Sequence, residues 1–299
     1  MNKQKLPLVS IITPTFNIIK NNREKTFHQM VNSVHNQSYK NIEHIVIDGK
    51  SSDSTIDLLK ELASKKWISY ISEQDRGIYD AMNKGIRLAK GKYILFMNSD
   101  DFFLSQESVQ DSVALLESTN SDYLFANCLM EDIGYEWIFG NNISLFWNRM
   151  PFNHQTMFCK KSILKKFGGF DLKYKFASDY DFILKCIFND LPYVYLNKTI
   201  SVFRVGGATL QNKQQSQREQ AEILMKHCAK FYQFPSIDLA LHIVLTGVYI
   251  KDLIYNMKKY MIQNHFKYFD TNILTPRIYG RELKLFGILP LLKIKEEVI

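Results

Sequence analysis

The first hundred residues alternate between short apolar runs and segments with helical spacing, and this alternation restricts the fold more than any other feature of the chain. Apolar, β-branched runs predict strands at residues 8–13, 44–47, 67–71 and 93–97. Each run is followed by a stretch with the periodicity of a helix. Strands that alternate with helices at this spacing form βαβ units. We therefore predict an α/β fold with a mostly parallel sheet flanked by helices.

The alternation loosens beyond Asp101, although further elements are expected there. Helices are predicted at 106–118 and 179–188, strands at 123–126, 193–195 and 201–203, and irregular strands and loops at 128–148. From residue 211 onward the pattern is helical. Because the composition shifts near Gly206 and Gly207, we predict a first domain at 1–207 and a mostly helical extension at 208–299.

Composition and charge exclude several classes of protein. The 299 residues are 46% hydrophobic and 23% charged, which excludes disordered, collagen-like and low-complexity chains. The four cysteines are scattered without a CxxC pair, a pattern that suits a reducing cytosol and predicts neither a zinc site nor a disulfide framework. A net charge of +8 is typical of a solvated basic surface, or of a protein that binds nucleic acid, anionic lipid or a small anion.

The sequence predicts neither a signal peptide nor a membrane-spanning helix. The N-terminal apolar stretch is short and is interrupted by Pro7 and Pro14. No run approaches the ~20 apolar residues that a helix needs to cross a bilayer. The longest candidate, at 239–250, is shorter and contains His242. We therefore expect a cytoplasmic protein that is soluble or peripheral to the membrane.

Loops rich in polar side chains follow each of the four predicted strands. The residues are Thr13, Pro14, Thr15 and Asn17 after the first strand, Asp48 and Asp53 after the second, Glu73, Asp75 and Arg76 after the third, and Asn98, Asp100 and Asp101 after the fourth. In open α/β sheets, ligands bind beyond the carboxyl ends of the strands. Asp and Asn are also ordinary turn and cap residues, which is the interpretation we favour for Asp53. Taken together, the four ends predict one ligand site at this edge of the sheet.

Two common phosphate-binding motifs are absent from the sequence. Gly49-Lys50-Ser51 resembles the end of a P-loop, but the earlier glycine of that motif would fall at His44. No GxGxxG sequence follows the first strand, which excludes the dinucleotide fingerprint. The adjacent carboxylates of Asp100 and Asp101 suit a hard divalent cation, Mn²⁺ or Mg²⁺. Such an ion bridges to substrate phosphates and neutralises charge on a departing diphosphate.

Several segments resemble the family 2 glycosyltransferases of the GT-A fold: VSIITPTFN, HIVIDGKSSDST, EQDRGIYDAMNKGI and AKGKYILFMNSDD. The GIYDAMNKG element is typical of the bacterial branch that makes colanic acid, capsule and O-antigen. The resemblance covers roughly residues 6–207, and the motifs are specific in combination. It implies an enzyme that moves a sugar from a nucleoside diphosphate sugar, a UDP- or GDP-sugar, to a glycan or lipid-linked acceptor.

The resemblance also implies roles for individual residues near the donor. The predicted contacts to the nucleotide sugar are Thr13, Pro14, Thr15 and Asn17 around the nucleotide, Asp48 at the base, Arg76 in a closing loop, and Asn83 and Lys84 on the sugar side. Asn98 and Ser99, also expected to contact the nucleotide sugar, stand with Asp100 at the position of the family's DxD motif, where Asn98 replaces the first Asp. Asp100 is therefore the leading predicted metal ligand, and Asp101 is the second.

Later segments complete the predicted site. His154 lies in a segment that resembles the family's HQ element, whose histidine approaches the metal or the donor diphosphate. Asp179 matches the catalytic base of the family's GGFD…EDxDL pattern, with Ser178 in place of Glu. Such a base takes the proton of the acceptor hydroxyl during an in-line attack that inverts the anomeric carbon. Asp181 is expected to brace the helix or to be the alternative base, and Arg204 belongs to a loop that closes over the diphosphate.

Two interpretations of the C-terminal extension stay open. Its apolar helical positions predict packing against the catalytic domain or against a second subunit in a homodimer. Its late basic residues and the apolar, basic tail at 285–295 favour contact with anionic lipid at the inner face of the cytoplasmic membrane. A lipid-linked acceptor would fit that location.

The residues also leave alternatives to an inverting, metal-dependent glycosyltransferase. A sugar nucleotidyltransferase would favour a glycine-rich first loop with Lys or Arg, which TPTFN does not supply. The departures at Asn98 and Ser178 keep open the alternative of a catalytically impaired GT-A-fold binding protein. A nucleic-acid-binding protein has only the net charge in its favour, so we expect no nucleic-acid partner.

Overall fold

The computed structural model describes residues 6–207, 212–248 and 250–267. The strands are β1 (Val9–Thr15), β2 (Ile42–Asp48), β3 (Ser69–Ser72), β4 (Tyr93–Phe96), β5 (Phe102–Phe103), β6 (Tyr123–Asp132), β7 (Tyr135–Phe139), β8 (Phe158–Lys160) and β9 (Tyr193–Arg204). The helices are α1 (Glu24–His35), α2 (Thr55–Ser64), α3 (Ile78–Leu88), α4 (Ser108–Thr119), α5 (Lys161–Lys166), α6 (Ser178–Phe188), α7 (Lys213–Cys228), α8 (Ile237–Thr246) and α9 (Lys251–Gln263). Short 3-10 turns lie at Ile143–Leu145 and His154–Thr156.

The first four strands form the parallel part of the sheet, in the order β3-β2-β1-β4, as the alternation predicted. All seven residues of β1 are buried, as expected for an apolar strand in the middle of a parallel sheet. In the observed register Thr15 lies opposite Asp48, and Asp48 lies opposite Ser72. The carboxyl ends of three strands are therefore level, which places their loops side by side.

The sheet continues as β4-β8-β6-β9-β5, with β7 paired to β6, and this part mixes parallel and antiparallel pairs. β8 runs antiparallel to β4 and β6. It starts next to the turn at His154–Thr156 and leads away from the carboxyl edge of the parallel strands. The mostly parallel arrangement predicted from the sequence therefore describes the first four strands, while the α/β class holds for the whole sheet.

Two predicted elements differ from the structure. The strands predicted at 193–195 and 201–203 are one strand, β9. The polar pair Asn197 and Lys198 lies in a register shift between Leu196 and Thr199, both of which pair with β6. The region predicted to be irregular from residue 128 begins with a hairpin, since β6 continues to Asp132 and turns into β7. Tyr135 and Ile138 of this hairpin are exposed, which explains why no apolar periodicity marked it as part of the core.

Side chains on the two faces of the sheet form two cores. Alternate residues of β1 separate them, since Ile11 lies in the core with Phe27 of α1, and Ile12 lies in the core with Met82 of α3. The second core also receives buried side chains from α7, α8 and α9: Ile223, Leu224, Ile243, Leu253 and Met257. The described part of the extension therefore packs on the side of the sheet that carries α3 and α6.

The boundary predicted at residue 207 precedes residues 208–211, which lie outside the described ranges, as does the tail at 285–295. The division into two domains therefore stays a prediction. All four cysteines are buried and unpaired. Across residues 6–207, 212–248 and 250–267, no helix is long and apolar enough to cross a membrane.

Candidate active site

The loops after β1 and β2 are joined by hydrogen bonds at the carboxyl edge of the sheet. The backbone N–H of Asn17 donates to Ser51 Oγ (2.7 Å), and the N–H of Ser52 donates to Asn17 Oδ1 (2.9 Å). Asn17 has a φ of 49°, a left-handed conformation that asparagine tolerates better than most residues. The predicted nucleotide loop is thus held in one shape by the neighbouring loop. Thr15 Oγ1 is buried there without a hydrogen-bond partner.

Thr13 and Pro14 lie deeper than the rest of the predicted nucleotide loop. Both are buried within β1, and Thr13 Oγ1 is 3.0 Å from His44 Nε2. Burial lowers the pKa of His44 to about 3, so its imidazole is neutral near pH 7. Thr15 and Asn17 therefore lie nearer the edge, together with Phe16, whose ring is 57% exposed. Phe16, an aromatic residue inside a polar loop, was not among the predicted contacts.

Asp48, predicted to bind the nucleotide base, organises the end of β2. It has no exposed surface. Its carboxylate accepts hydrogen bonds from the Ser51 N–H (2.9 Å), from the Ser51 hydroxyl and from the Ser72 hydroxyl (2.6 Å). The carboxylate thereby ties the loop after β2 to the end of β3, and its contact with a nucleotide base stays a prediction.

The loop before α3 places the side chains of Asp75 and Arg76 near this edge. The Arg76 side chain is 75% exposed, with its Nε 3.8 Å from the Asp80 carboxylate. Asp75 accepts the N–H of Gly77 (2.9 Å), and burial raises the pKa of Asp75. A side chain at Gly49 would come within 2.6 Å of the Asp75 carboxylate, so a glycine there lets the two loops approach each other. Arg76 offers a positive charge that a diphosphate could use.

Asn83 and Lys84, predicted on the sugar side, are engaged by protein groups in the structure. Asn83 Nδ2 donates to the Phe170 carbonyl (2.8 Å), and Asn83 Oδ1 accepts the Phe170 N–H (2.8 Å). Lys84 Nζ donates to the Gln74 carbonyl (2.6 Å) and lies 3.0 Å from the Glu73 carboxylate. Asn83 therefore fixes the segment that precedes α6, and Lys84 fixes the loop before α3.

The acidic turn after β4 separates its two aspartates. Asp101 is 1% exposed; its Oδ2 accepts hydrogen bonds from Gln155 Nε2 (2.6 Å) and Asn98 Nδ2 (3.1 Å), and its Oδ1 accepts the N–H of Arg204 (2.8 Å). Burial, with the nearby Asp100 charge, raises the pKa of Asp101 to about 7. The Asp100 carboxylate is partly exposed and lies 3.5 Å from Arg23 Nη1. Asp101 therefore supports the turn, and Asp100 is the more available ligand. Ser99, between Asn98 and Asp100, is buried.

Arg204, predicted to bring charge to the diphosphate, is held against this acidic turn. Its guanidinium donates to the Asp100 carbonyl and to Gln29 Oε1 (2.7 Å), and its Nε lies 3.0 Å from the Glu131 carboxylate. The guanidinium also stacks over the Phe102 ring at 4.8 Å. These contacts make Arg204 a support of the turn in the present arrangement.

Asp179 lies between a tyrosine and a histidine from distant parts of the chain. The Tyr79 hydroxyl donates to Asp179 Oδ1 (2.9 Å), and His154 Nδ1 is 3.0 Å from Asp179 Oδ2. Burial and the Asp179 charge raise the pKa of Tyr79 well above its usual value, which keeps its hydroxyl protonated as a donor. A small, mostly apolar pocket is lined by Asp179, His154, Phe96 and Phe170 among others. Sequence reasoning missed Tyr79, although the residue lies in the GIYDAMNKG element.

Asp181, the alternative base, is enclosed by two lysines and a histidine. It has no exposed surface and lies within 2.9 Å of Lys185 Nζ, Lys226 Nζ and His227 Nε2. Burial alone would raise its pKa, but hydrogen bonds from His227, Lys185 and Lys226 hold the pKa of Asp181 well below its usual range. A carboxylate with these partners and no access to solvent is a brace, which leaves Asp179 as the candidate base.

The predicted metal ligands do not converge as a set of three. Within the described ranges, no three His, Cys, Asp or Glu side chains are grouped closely enough to hold an ion. Asp101 uses its oxygens within the protein, but His154 Nε2 is buried without a partner while Nδ1 faces Asp179. A histidine that gives one ring nitrogen to a carboxylate and keeps the other free is typical of a metal ligand. Asp100 and His154 therefore carry donor atoms that suit a divalent ion, and their role as its ligands stays a prediction.

The fold is that of the GT-A glycosyltransferases. The structure superposes on residues 1–349 of S. aureus TarS in complex with UDP-GlcNAc with a TM-score of 0.61, at 19% identity, over 85% of this chain and 80% of that one. It spans 43% of the longer TarS chain. It also superposes on the mannosyltransferase PcManGT from Pyrobaculum calidifontis, in complex with GDP-Man and Mn²⁺, with a TM-score of 0.59 at 16% identity, over 87% of this chain and 76% of that one.

The chain belongs to glycosyl transferase family 2, whose family model matches residues 10–175. A PGL/p-HBAD biosynthesis glycosyltransferase of Mycobacterium bovis is 27% identical over 186 residues, 61% of this chain and 71% of that protein. An uncharacterized glycosyltransferase of Mycobacterium tuberculosis is 32% identical over 196 residues, 60% of this chain and 68% of that protein. The predicted enzyme class and family are confirmed, whereas neither of these relatives is named for the capsule and O-antigen branch.

Proposed function

We propose that this enzyme is an inverting, metal-dependent glycosyltransferase that moves a sugar from a UDP- or GDP-sugar to a carbohydrate or lipid-linked acceptor. We place it in the synthesis of a cell-surface polysaccharide of the capsule or O-antigen type. The observation that carries the proposal is the Asp179 carboxylate, held by Tyr79 and His154 at the start of α6. The donor class is supported by the nucleotide sugars bound to the TarS and PcManGT structures.

In this mechanism Asp179 takes the proton of the acceptor hydroxyl as that oxygen attacks the anomeric carbon. The new bond between carbon and the acceptor oxygen forms on the face opposite the diphosphate, and the bond to the diphosphate oxygen breaks, so the configuration inverts. The hydrogen bond from Tyr79 orients the carboxylate, and His154 Nδ1 stabilises its negative charge. Both contacts keep the base directed toward one position.

At the donor end, Asp100 and His154 would hold the divalent ion. When bound, the ion supplies positive charge that stabilises the departing diphosphate. Arg76 adds a solvent-exposed guanidinium at the same edge, and the loop with Thr15 and Asn17 contacts the nucleotide.

We also propose that residues 1–207 form the catalytic domain of a cytoplasmic enzyme and that residues 208–299 form an accessory extension that contacts the membrane surface or a second subunit. Exposed apolar side chains on α8 and α9 support a surface contact there, namely Leu245, Tyr255 and Ile262. An anionic lipid surface would bring the enzyme to a lipid-linked acceptor.

Calorimetric titration with UDP and with GDP tests the donor site directly. The titrations are made with Mn²⁺, with Mg²⁺ and with EDTA, on the wild type, on Asp100→Ala and on Asp111→Ala. Asp111 is a matched control because its carboxylate pairs with Lys198 at the surface of α4. We expect metal-dependent binding of one diphosphate to the wild type and to Asp111→Ala, with the metal-dependent part lost in Asp100→Ala.

The base that binds would identify the donor class, and a screen of its nucleotide sugars would follow. Binding that is equal with metal and with EDTA would contradict metal dependence. If neither diphosphate binds under any condition, the proposed transferase reaction is wrong for this chain.

A further inference from the structure

We propose that helix α7 positions the catalytic base, with Glu219 as the positioning residue. This inference rests on the proposed role of Asp179. α7 (Lys213–Cys228) lies beyond residues 10–175, the part of the chain that the family model matches. Glu219 does not touch Asp179. It acts on the backbone that leads into α6.

Glu219 is an almost fully buried carboxylate, with 3% of its surface exposed. Its Oε1 accepts the N–H of Lys175 (3.1 Å), and its Oε2 accepts the N–H of Phe176 (2.8 Å). Gln215, one turn earlier on α7, donates to Oε1 at 3.3 Å. Both oxygens are thus committed to holding two consecutive backbone amides in place.

The residue type at this position matters because burial of a carboxylate is unfavourable unless its oxygens are hydrogen-bonded. A glutamine has the same shape, but one end of its amide is a donor and would face the N–H of Lys175 or Phe176. The pair of adjacent amides therefore requires two acceptors, and only the carboxylate supplies them. The two amides belong to the segment that ends three residues before Asp179.

The same helix makes a second set of contacts, to a residue that follows Asp179 in the sequence. Lys226 Nζ (2.9 Å) and His227 Nε2 (2.8 Å) contact the carboxylate of Asp181. Lys226 follows Glu219 by seven residues, which is two helical turns, so both side chains project from one face of α7. α7 therefore holds the chain at residues 175–176 and again at Asp181, with Asp179 between the two anchors.

A general base acts only within hydrogen-bond reach of the proton that it removes. A displacement of about 1 Å costs on the order of 100-fold in rate. Because Asp179 is the second residue of α6, any shift in the preceding backbone moves its carboxylate relative to the acceptor. The proposed nucleotide contacts lie in the loops after β1, β2 and β4. None of the three hydrogen bonds of Glu219 described above reaches these loops.

The test compares Glu219→Gln with Glu222→Gln in the full chain. Glu222 lies on the same helix and pairs with Lys173, a neighbour of the same segment, but this ion pair is exposed, with 64% of the lysine side chain accessible. The assay is release of the nucleoside diphosphate from the donor found in the calorimetric screen. We expect Glu219→Gln to lower kcat by about 10- to 100-fold, with donor KM and diphosphate affinity within about twofold of wild type. Glu222→Gln should keep the wild-type kcat.

Two further variants separate positioning from general damage. Glu219→Asp keeps two acceptor oxygens on a shorter stem and should recover part of the kcat lost in Glu219→Gln. Asp179→Asn, measured in parallel, reports on the proposed function itself: an active Asp179→Asn would show that the base assignment is wrong. An inactive Asp179→Asn combined with equal kcat values for Glu219→Gln and Glu222→Gln would overturn the positioning role alone.

If Glu219→Gln does not fold, Glu219→Asp decides the question, because it keeps both acceptor oxygens of the carboxylate but draws them back from the Lys175 and Phe176 amides by one methylene. A kcat loss with unchanged diphosphate affinity supports the proposal. A wild-type kcat overturns it.

Discussion

The two halves of the site are assembled in different ways. At the carboxyl ends of β1 and β2, Asn17 contacts Ser51 and Ser52 in the next loop along the sheet, and the parallel register alone brings these loops together. Around Asp179, the partners Tyr79 and His154 come from α3 and from the turn before β8. The donor half follows from βαβ geometry, whereas the half that holds the base depends on long-range packing.

The same contrast appears within one helix turn of α6. The Asp179 side chain is 13% exposed and contacts Tyr79 and His154, while Asp181 is fully buried against Lys185, Lys226 and His227. Both residues are aspartates two positions apart, yet the tertiary structure leaves Asp179 available for the proposed chemical role and encloses Asp181 in a buried cluster. Substitutions can test each side of this division.

The largest effect is expected for Asp179→Asn. An amide cannot accept the acceptor proton, so kcat should fall by about 10²- to 10⁴-fold, the range typical of a lost general base. Affinity for the nucleoside diphosphate should stay within a few-fold, since most of the contacts proposed for that ligand lie in the other half of the site. Steady-state kinetics and calorimetry on the same preparation check both values. A loss of diphosphate affinity as large as the loss of kcat would show that the two halves are not separable.

Asp181→Asn should act on stability. It removes the anion from a buried cluster and leaves Lys185, Lys226 and His227 without their shared partner. Breaking a buried ion pair by removing one member costs about 3–5 kcal/mol of unfolding free energy. Denaturant unfolding measures this loss, with Asp171→Asn as the control, because Asp171 is partly exposed and lies 3.5 Å from the same Lys226. Equal stabilities for the two variants would contradict the bracing role.

Asn83→Ala distinguishes a structural role from the predicted contact with the sugar. The substitution leaves the N–H and carbonyl of Phe170 without their partners, and unsatisfied groups of this kind cost about 1–3 kcal/mol. We expect a loss of about 2 kcal/mol in unfolding free energy with little change in donor KM. A rise of tenfold or more in donor KM at nearly wild-type stability would instead support the contact inferred from the sequence.

The smallest effect concerns the pH dependence of stability. The pKa of His44 is lowered from 6.5 to about 3 in the folded protein, so the unfolded chain takes up the proton first as pH falls. Stability from this group is fully present above pH 6.5 and is lost progressively below it, by about 1.4 kcal/mol between pH 7.5 and 5.5. Unfolding curves at these two pH values should show a smaller loss in His44→Gln by that amount.

Much of the fold could be predicted because the parallel strands carry a local signal. The run at 8–13 is apolar and β-branched, and the buried β1 occupies residues 9–15. The split prediction for β9 shows the limit of such signals, since Asn197 and Lys198 look like a break but occupy an irregularity within one strand. The two parts of β9 form one strand because both pair with β6, and no local sequence pattern reveals this pairing.

The sequence motifs predicted that Asp100, His154 and Asp179 belong to the site, but they did not predict which groups each side chain contacts. Asp100 and Asp101 are adjacent in sequence and equal in chemistry, and only the packing of Gln155 and Arg204 against Asp101 separates a partly exposed ligand from a buried support. Tyr79 lies in a recognised motif and Glu219 does not, but neither role was predicted, because each acts through a contact more than forty residues distant in the chain.

The sequence by itself determined the α/β alternation, the polar ends of the strands and the family, because these depend on residue type and spacing over short distances. The tertiary structure alone decided which carboxylates are buried, which are paired and which remain accessible. Those properties depend on desolvation and on charges that approach from distant segments, and both arise only when the chain is packed.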